Sequence, residues 1–120
     1  MTSNDLERME QRLREERDAI VARTRRRARE ALAESARVPD EADQASLDHD
    51  AAFELRLADK DRKLLNLIEH ALNKIPTGEF GLCESTGEPI ALPRLEARPW
   101  ARYSIAYKEQ LERERALHSD

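Results

Sequence analysis

Few side chains in this sequence have the reach for chemistry, and their spacing limits what that chemistry could be. Cys83 is the only cysteine. A thiol nucleophile needs a histidine base beside it, and no histidine stands in a recognisable partner relation to Cys83. His49 and His70 lie far apart on one predicted helix, each without a second ligand at helical spacing. Both read as packed or solvent-facing rather than metal-binding. A lone thiol also rules out an internal disulfide. The residues therefore point to no enzyme and no metal centre. What remains is charge. Asp40, Glu41, Asp43, Asp48, Asp50 and Glu54 form an acidic stretch that contains no Lys or Arg. A basic cluster, Arg23, Arg25, Arg26, Arg27 and Arg29, precedes it.

Each cluster has two readings. Acids suit the first turn of a helix, where they offset the positive end of its dipole. That accounts for the acids nearest residue 40 and leaves those towards Glu54 for a functional reading. The basic cluster is a solvated helix face or a docking patch for an acidic surface. Residues 1–38 hold nearly as many acids as arginines, whereas a polyanion-binding arm should be one-sided.

The elements that must position these charges are long. Two runs free of Pro and Gly, about Asn4 to Arg37 and Asp40 to Ile75, meet at Val38-Pro39-Asp40. Pro39 cannot donate a backbone hydrogen bond and pushes Val38 out of the helical region, which ends the first run. The pattern predicts an antiparallel coiled-coil hairpin over residues 1–76, its tip near 38–45. At about 1.5 Å per residue the arm is about 45 Å long or more. Asn4 and Glu7 fit a capping box at its start. The first seam reads Leu6, Met9, Leu13, Ile20, Thr24, Ala28, Ala31 and Ser35. The second reads Leu47, Ala51, Leu55, Ala58, Leu65, Ile68, Leu72 and Ile75, widened by Leu64 and Leu67.

In 120 residues, 38% are charged and 4% aromatic, which suits a coiled coil better than a thick core. The net charge of -4 argues against a general nucleic-acid binder. No apolar stretch approaches a membrane span, and the polar start is no signal peptide, so a cytoplasmic protein is expected. Residues 79–98 change character. Phe80 to Cys83 and Glu88 to Leu92 flank Glu84-Ser85-Thr86-Gly87 as a short β-hairpin. Pro99 is placed to open a last helix presenting Trp100, Tyr103, Tyr107 and Leu111. From Glu109 the charged end is expected to fray.

Phe80-Gly81-x-Cys83-Glu84-Ser85-x-Gly87-x-Pro89-Ile90, followed by Arg94-Leu95-Glu96-Ala97-Arg98-Pro99, resembles the C-terminal part of the DksA/TraR family. Asp40-x-x-Asp43-x-Ala45 resembles the family's tip motif, and Phe53 to Leu64 its second arm. The resemblance covers roughly residues 39–112. It implies a mainly α fold, a long coiled-coil hairpin plus a small zinc-finger-like domain at 77–120. It also implies a transcription regulator that enters the secondary channel of RNA polymerase without binding DNA. Such a protein would modulate open-complex stability and ribosomal RNA promoters, often with ppGpp. Asp40, Asp43 and Ala45 would be the tip residues. A monomer with RNA polymerase as partner is the expectation.

Two departures from the family pattern matter. The positions of its four zinc-binding cysteines read here Cys83, Thr86, Ser104 and Tyr107. Structural zinc sites need Cys or His at nearly every position, so no zinc is expected and the metal site is degenerate. Burial of Trp100, Tyr103 and Tyr107 is expected to compensate. For ppGpp, Arg98 and Lys108 match the family's contacts, while its basic residue on the second arm falls on Leu67. The alternatives are a structural coiled-coil adaptor, or a nucleic-acid-associated protein using Arg23 to Arg29.

Overall fold

The computed structural model describes residues 1–37 and 44–118. Among these the chain is mainly helical, with α1 at Ser3–Ser35, α2 at Gln44–Lys74, α3 at Leu92–Ala97 and α4 at Ile105–His118. The two long helices are the expected coiled-coil hairpin. It contributes to two compact units, Glu15–Asn66 and a second made of Met1–Arg14 with the chain from Leu67 onward.

The start of α1 is capped two residues earlier than the sequence suggested. Thr2 Oγ1 accepts from the Asp5 amide at 3.1 Å, and Asp5 Oδ2 accepts from the Thr2 amide at 3.0 Å. This is the reciprocal cap expected of Asn4 and Glu7, made instead by a Thr and the shorter acid three residues on.

In the unit Glu15–Asn66, α1 and α2 pair antiparallel, since Arg23 and Arg27 of α1 reach Asp61 while Arg27 also reaches back to Glu54. The seam differs from the predicted one. Thr24, Ala28, Ala31 and Ser35 are exposed, and Leu55 is 71% exposed. Ile20 and Asp61 are the buried residues here, with Leu47, Leu57, Leu64 and Leu65 half-buried. Counting back in sevens from Ile75 gives Ile68, Asp61 and Glu54. An apolar pattern passes over the two acids and takes Leu55, one residue from Glu54, and Ala58, three residues from Asp61.

The other unit holds most of the core. Met9 and Leu13 of α1, Ile68 and Ala71 of α2, and Phe80, Cys83, Ile90, Leu95 and Pro99 are buried. Each large apolar side chain among them contributes about 1.5–3 kcal/mol by leaving water. Thr77 donates to the Lys74 carbonyl at 3.0 Å as α2 ends before Pro76. The expected β-hairpin is present as a tight turn with a single antiparallel bridge, Leu82 to Pro89. Cys83 donates to Glu88 at 2.8 Å and Ile90 to Gly81 at 2.7 Å. Pro89 has no N–H to extend the ladder. Gly81 sits at φ 84°, and a Cβ there would lie 2.8 Å from Met1 Cε; a side chain would meet both strain and a neighbour.

Pro99 does not open the last helix. Pro93 lies in the first turn of the short α3, Pro99 is buried beyond it, and α4 begins only at Ile105. Ser104 is the cap. Its Oγ accepts from the Tyr107 amide at 3.1 Å, and its carbonyl accepts from Lys108 at 3.1 Å. Residues 98–101 close a turn in which Ala101 donates to the Arg98 carbonyl at 2.9 Å, and beyond it the Arg102 carbonyl accepts from Glu84 at 2.9 Å and the Tyr103 carbonyl from Arg94 Nε at 2.9 Å. The charged segment from Glu109 is helical as far as His118, where α4 ends.

Candidate functional site

Three groupings of side chains carry the chemistry of this chain. The first is the start of α2. Ala45 is exposed in its first turn, beside Gln44, whose amide donates to Asp48 at 2.9 Å. Asp48 and Asp50 are exposed as well. Asp40 and Asp43, the other two expected tip residues, lie outside the described residues. His49 is exposed, as its isolation in the sequence suggested.

The second grouping divides the basic cluster. Arg23 donates to both carboxylate oxygens of Asp61, at 3.1 and 3.2 Å, and Arg27 Nη2 donates to Oδ2 at 2.6 Å. The Arg23 hydrogen bonds hold the Asp61 carboxyl below its ordinary value despite burial, with Arg27 assisting. The same bonds raise Arg23. Arg27 Nη1 is buried without a hydrogen-bond partner. Arg25, Arg26 and Arg29 stay exposed. The cluster is thus two kinds of arginine, an inward pair that neutralises a seam carboxylate and an outward set in solvent. Nothing in the apolar pattern marked Asp61; its heptad spacing from Ile68 could have.

The third grouping lies around the former metal positions. Burial raises the Cys83 thiol, but hydrogen bonding from the Thr86 hydroxyl and from the amides of Ser104, Thr86 and Ser85 outweighs it and lowers the thiol to about 6. Cys83, Thr86 and Ser104 therefore converge, as the resemblance required. Tyr107, at the remaining position, forms a tilted ring pair with Tyr103, centroids 5.3 Å apart. One thiol, two hydroxyls and a phenol do not fit zinc. No group of three or more His, Cys, Asp or Glu among the described residues could hold a metal ion. Trp100, Tyr103 and Tyr107 are only half-buried, so ring burial compensates in part.

Beside the thiol, Glu84 gathers basic groups. Its Oε1 meets Lys74 Nζ at 2.8 Å and His70 Nε2, and its Oε2 accepts from Arg102 Nε at 2.6 Å. Burial would raise this carboxyl; the hydrogen bonds from His70, Lys74 and Arg102 prevail and bring it to about 2. His70 is thus not free in solvent but one arm of a carboxylate clasp. Arg98 and Lys108 are exposed, and Leu67 is half-buried.

These features define a class: a helical-hairpin protein whose finger-like lobe keeps the turn of a metal site without its ligands. Two family models match, "DnaK suppressor protein DksA, N-terminal domain" over residues 5–75 and "Prokaryotic dksA/traR C4-type zinc finger" over residues 78–106. The chain belongs to the DksA/TraR family. It is 40% identical over 120 residues to the RNA polymerase-binding transcription factor DksA of Caulobacter vibrioides, covering all of this chain and 84% of that one. To the DksA of Escherichia coli K12 it is 44% identical over 75 residues, 62% of this chain and 50% of that one. Among solved structures, transcription factor DksA2 from Pseudomonas aeruginosa superposes with a TM-score of 0.86 at 35% identity. That match covers 97% of this chain and 89% of the other.

Proposed function

We propose that this chain is a transcription regulator that binds RNA polymerase, not DNA, and acts through the secondary channel on open-complex stability and ribosomal RNA promoters. The observation that carries this is the match along the whole chain to a relative named for binding RNA polymerase. In this reading the functional parts are the arm, residues 1–76, and the lobe, residues 77–120. Asp40, Asp43 and Ala45 make the tip, and a stiff acidic end suits a channel that closes among basic groups. Arg98 and Lys108 contact ppGpp at the polymerase interface, with Leu67 weakening that response. The protein works as a cytoplasmic monomer, forms no covalent intermediate and needs no zinc. None of its helices is long and apolar enough to cross a membrane among the described residues.

The test is transcription from a ribosomal RNA promoter with purified polymerase. Asp43→Asn and Ala45→Thr are expected to keep polymerase binding and lose most of the effect on open-complex lifetime. Thr costs a helix less than about 0.7 kcal/mol relative to Ala, so unfolding does not explain such a loss. Full activity of both variants would remove the tip from the mechanism. The reading of Arg23 to Arg29 as a nucleic-acid stripe is disfavoured, because Arg23 and Arg27 are committed to Asp61.

A further inference from the structure

The lobe poses a question that the donor set leaves open. In a C4-type finger the metal ties the turn to the segment before the last helix, and structural zinc typically contributes about 10–16 kcal/mol in small finger peptides. Here the same two pieces of chain meet without fitting ligands, and the aromatic rings near them stay half-buried. Some other group must join them.

We propose that the carboxylate of Glu84 is that group: a charge clasp that cross-links the lobe in the place where C4-type fingers use a metal. Three observations carry the assignment. First, Glu84 joins three separate segments, namely α2 through His70 and Lys74, the turn to which it belongs, and the stretch before α4 through Arg102. Second, it sits at the right address. It follows Cys83, the first former ligand, and Arg102 lies two residues before Ser104, the third. Third, the link is doubled, because the Glu84 amide donates to the Arg102 carbonyl at 2.9 Å while its Oε2 accepts from the Arg102 side chain at 2.6 Å.

The physical analogy is direct. A metal gathers anionic ligands around one cation; this site gathers basic groups around one anion. The side chains of Lys74 and Glu84 are 12% and 20% exposed, so that pair is charge-assisted and shielded from most of the solvent, while His70 and Arg102 close the clasp from its more open side, 47% and 41% exposed. Without the carboxylate, His70, Lys74 and Arg102 would face one another with nothing to hold them. Arg102 is the distinctive member, since it reaches the clasp from the segment that a metal would otherwise tether.

The inference rests on the metal-free reading, so metal content comes first. Stoichiometric zinc in the purified full chain overturns both. With metal absent, Glu84→Gln is expected to lower Tm by about 5–10 °C at low ionic strength and by less in high salt, where charges are screened. An unchanged Tm overturns the clasp and leaves the metal-free reading standing. The sharper measurement restores the metal. In a variant carrying Thr86→Cys, Ser104→Cys and Tyr107→Cys, loaded with zinc, Glu84→Gln is expected to lose less than half as much Tm as in the parent. Equal losses in the two backgrounds overturn the proposal. Amide exchange provides a readout independent of that variant. In Glu84→Gln the Cys83 and Ile90 amides, which close the turn, are expected to exchange at least tenfold faster, and unchanged rates overturn the cross-linking role.

Discussion

Asp61 of α2 and Arg27 of α1 meet at 2.6 Å on a seam position where the heptad count calls for an apolar residue. The Asp61 side chain is 13% exposed and that of Arg27 19%. A carboxylate so placed is tolerable only because Arg23 covers its other oxygen. An apolar residue there could slide against several neighbours, whereas a carboxylate shared by two guanidiniums has one register. Fixing the register of a paired helix is the best-attested use of a buried polar group.

Removing one side of this cluster should therefore cost more than removing all of it. Asp61→Ala leaves two guanidiniums facing each other and is expected to destabilise the chain by about 2–3 kcal/mol in urea unfolding. Replacing Asp61 and Arg27 by Leu and Arg23 by Met together is expected to be neutral or stabilising. A greater loss for the triple change than for Asp61→Ala would contradict the account.

Acid should act on the same carboxylate. Its pKa in the folded chain lies below the ordinary 3.8 because Arg23 and Arg27 favour the charged form, while Glu54 and Glu16 are the acids facing those arginines. Below pH 4 the unfolded chain binds the proton first, so this stability is present above the ordinary pKa and is lost as pH falls through the folded one. Unfolding free energy measured from pH 5 down to pH 2 is expected to fall less steeply in Asp61→Asn. Parallel curves for the two proteins would exclude Asp61 as a contributor.

Ser104 holds a different kind of position, a helix cap at a former ligand site. Ser104→Ala is expected to remove about 1 kcal/mol and to speed amide exchange at Tyr107, whose N–H it accepts. Ser104→Asp should restore protection. If the Tyr107 amide exchanges equally in all three proteins, the cap is not what starts α4.

Cys83 combines a lowered pKa, about 6, with burial at 2% exposure. Thiolate ultraviolet absorbance of the folded chain is expected to titrate near pH 6, well below the ordinary thiol value of about 8.5. Alkylation should nevertheless be slow and should track opening of the lobe, because reagent cannot reach the sulfur. Rapid labelling of the folded protein at neutral pH would mean that the thiol is accessible.

The sequence by itself determined the two long helices, because runs without Pro or Gly at three- and four-residue spacing have few other ways to bury Met9, Leu13, Ile20 and Ile68. It also determined the donor set at Cys83, Thr86, Ser104 and Tyr107, one thiol with two hydroxyls and a phenol, since donor chemistry is a property of residue type alone. The tertiary structure decided what the charges do. Asp61 and Glu84 look like any surface acid in a chain that is 38% charged, and only the approach of Arg23 and Arg27, or of His70, Lys74 and Arg102, makes each the centre of a cluster. The start of α4 was decided the same way. Pro99 at a first turn and Ser104 at a cap were both locally acceptable; the hydrogen bonds from Glu84 and Arg94 occupy the Arg102 and Tyr103 carbonyls, so the turn at Pro99 does not run on into a helix and the second start is selected. Local propensity offers candidates one residue at a time; a charge or a cap acquires its role only when a partner distant in sequence arrives.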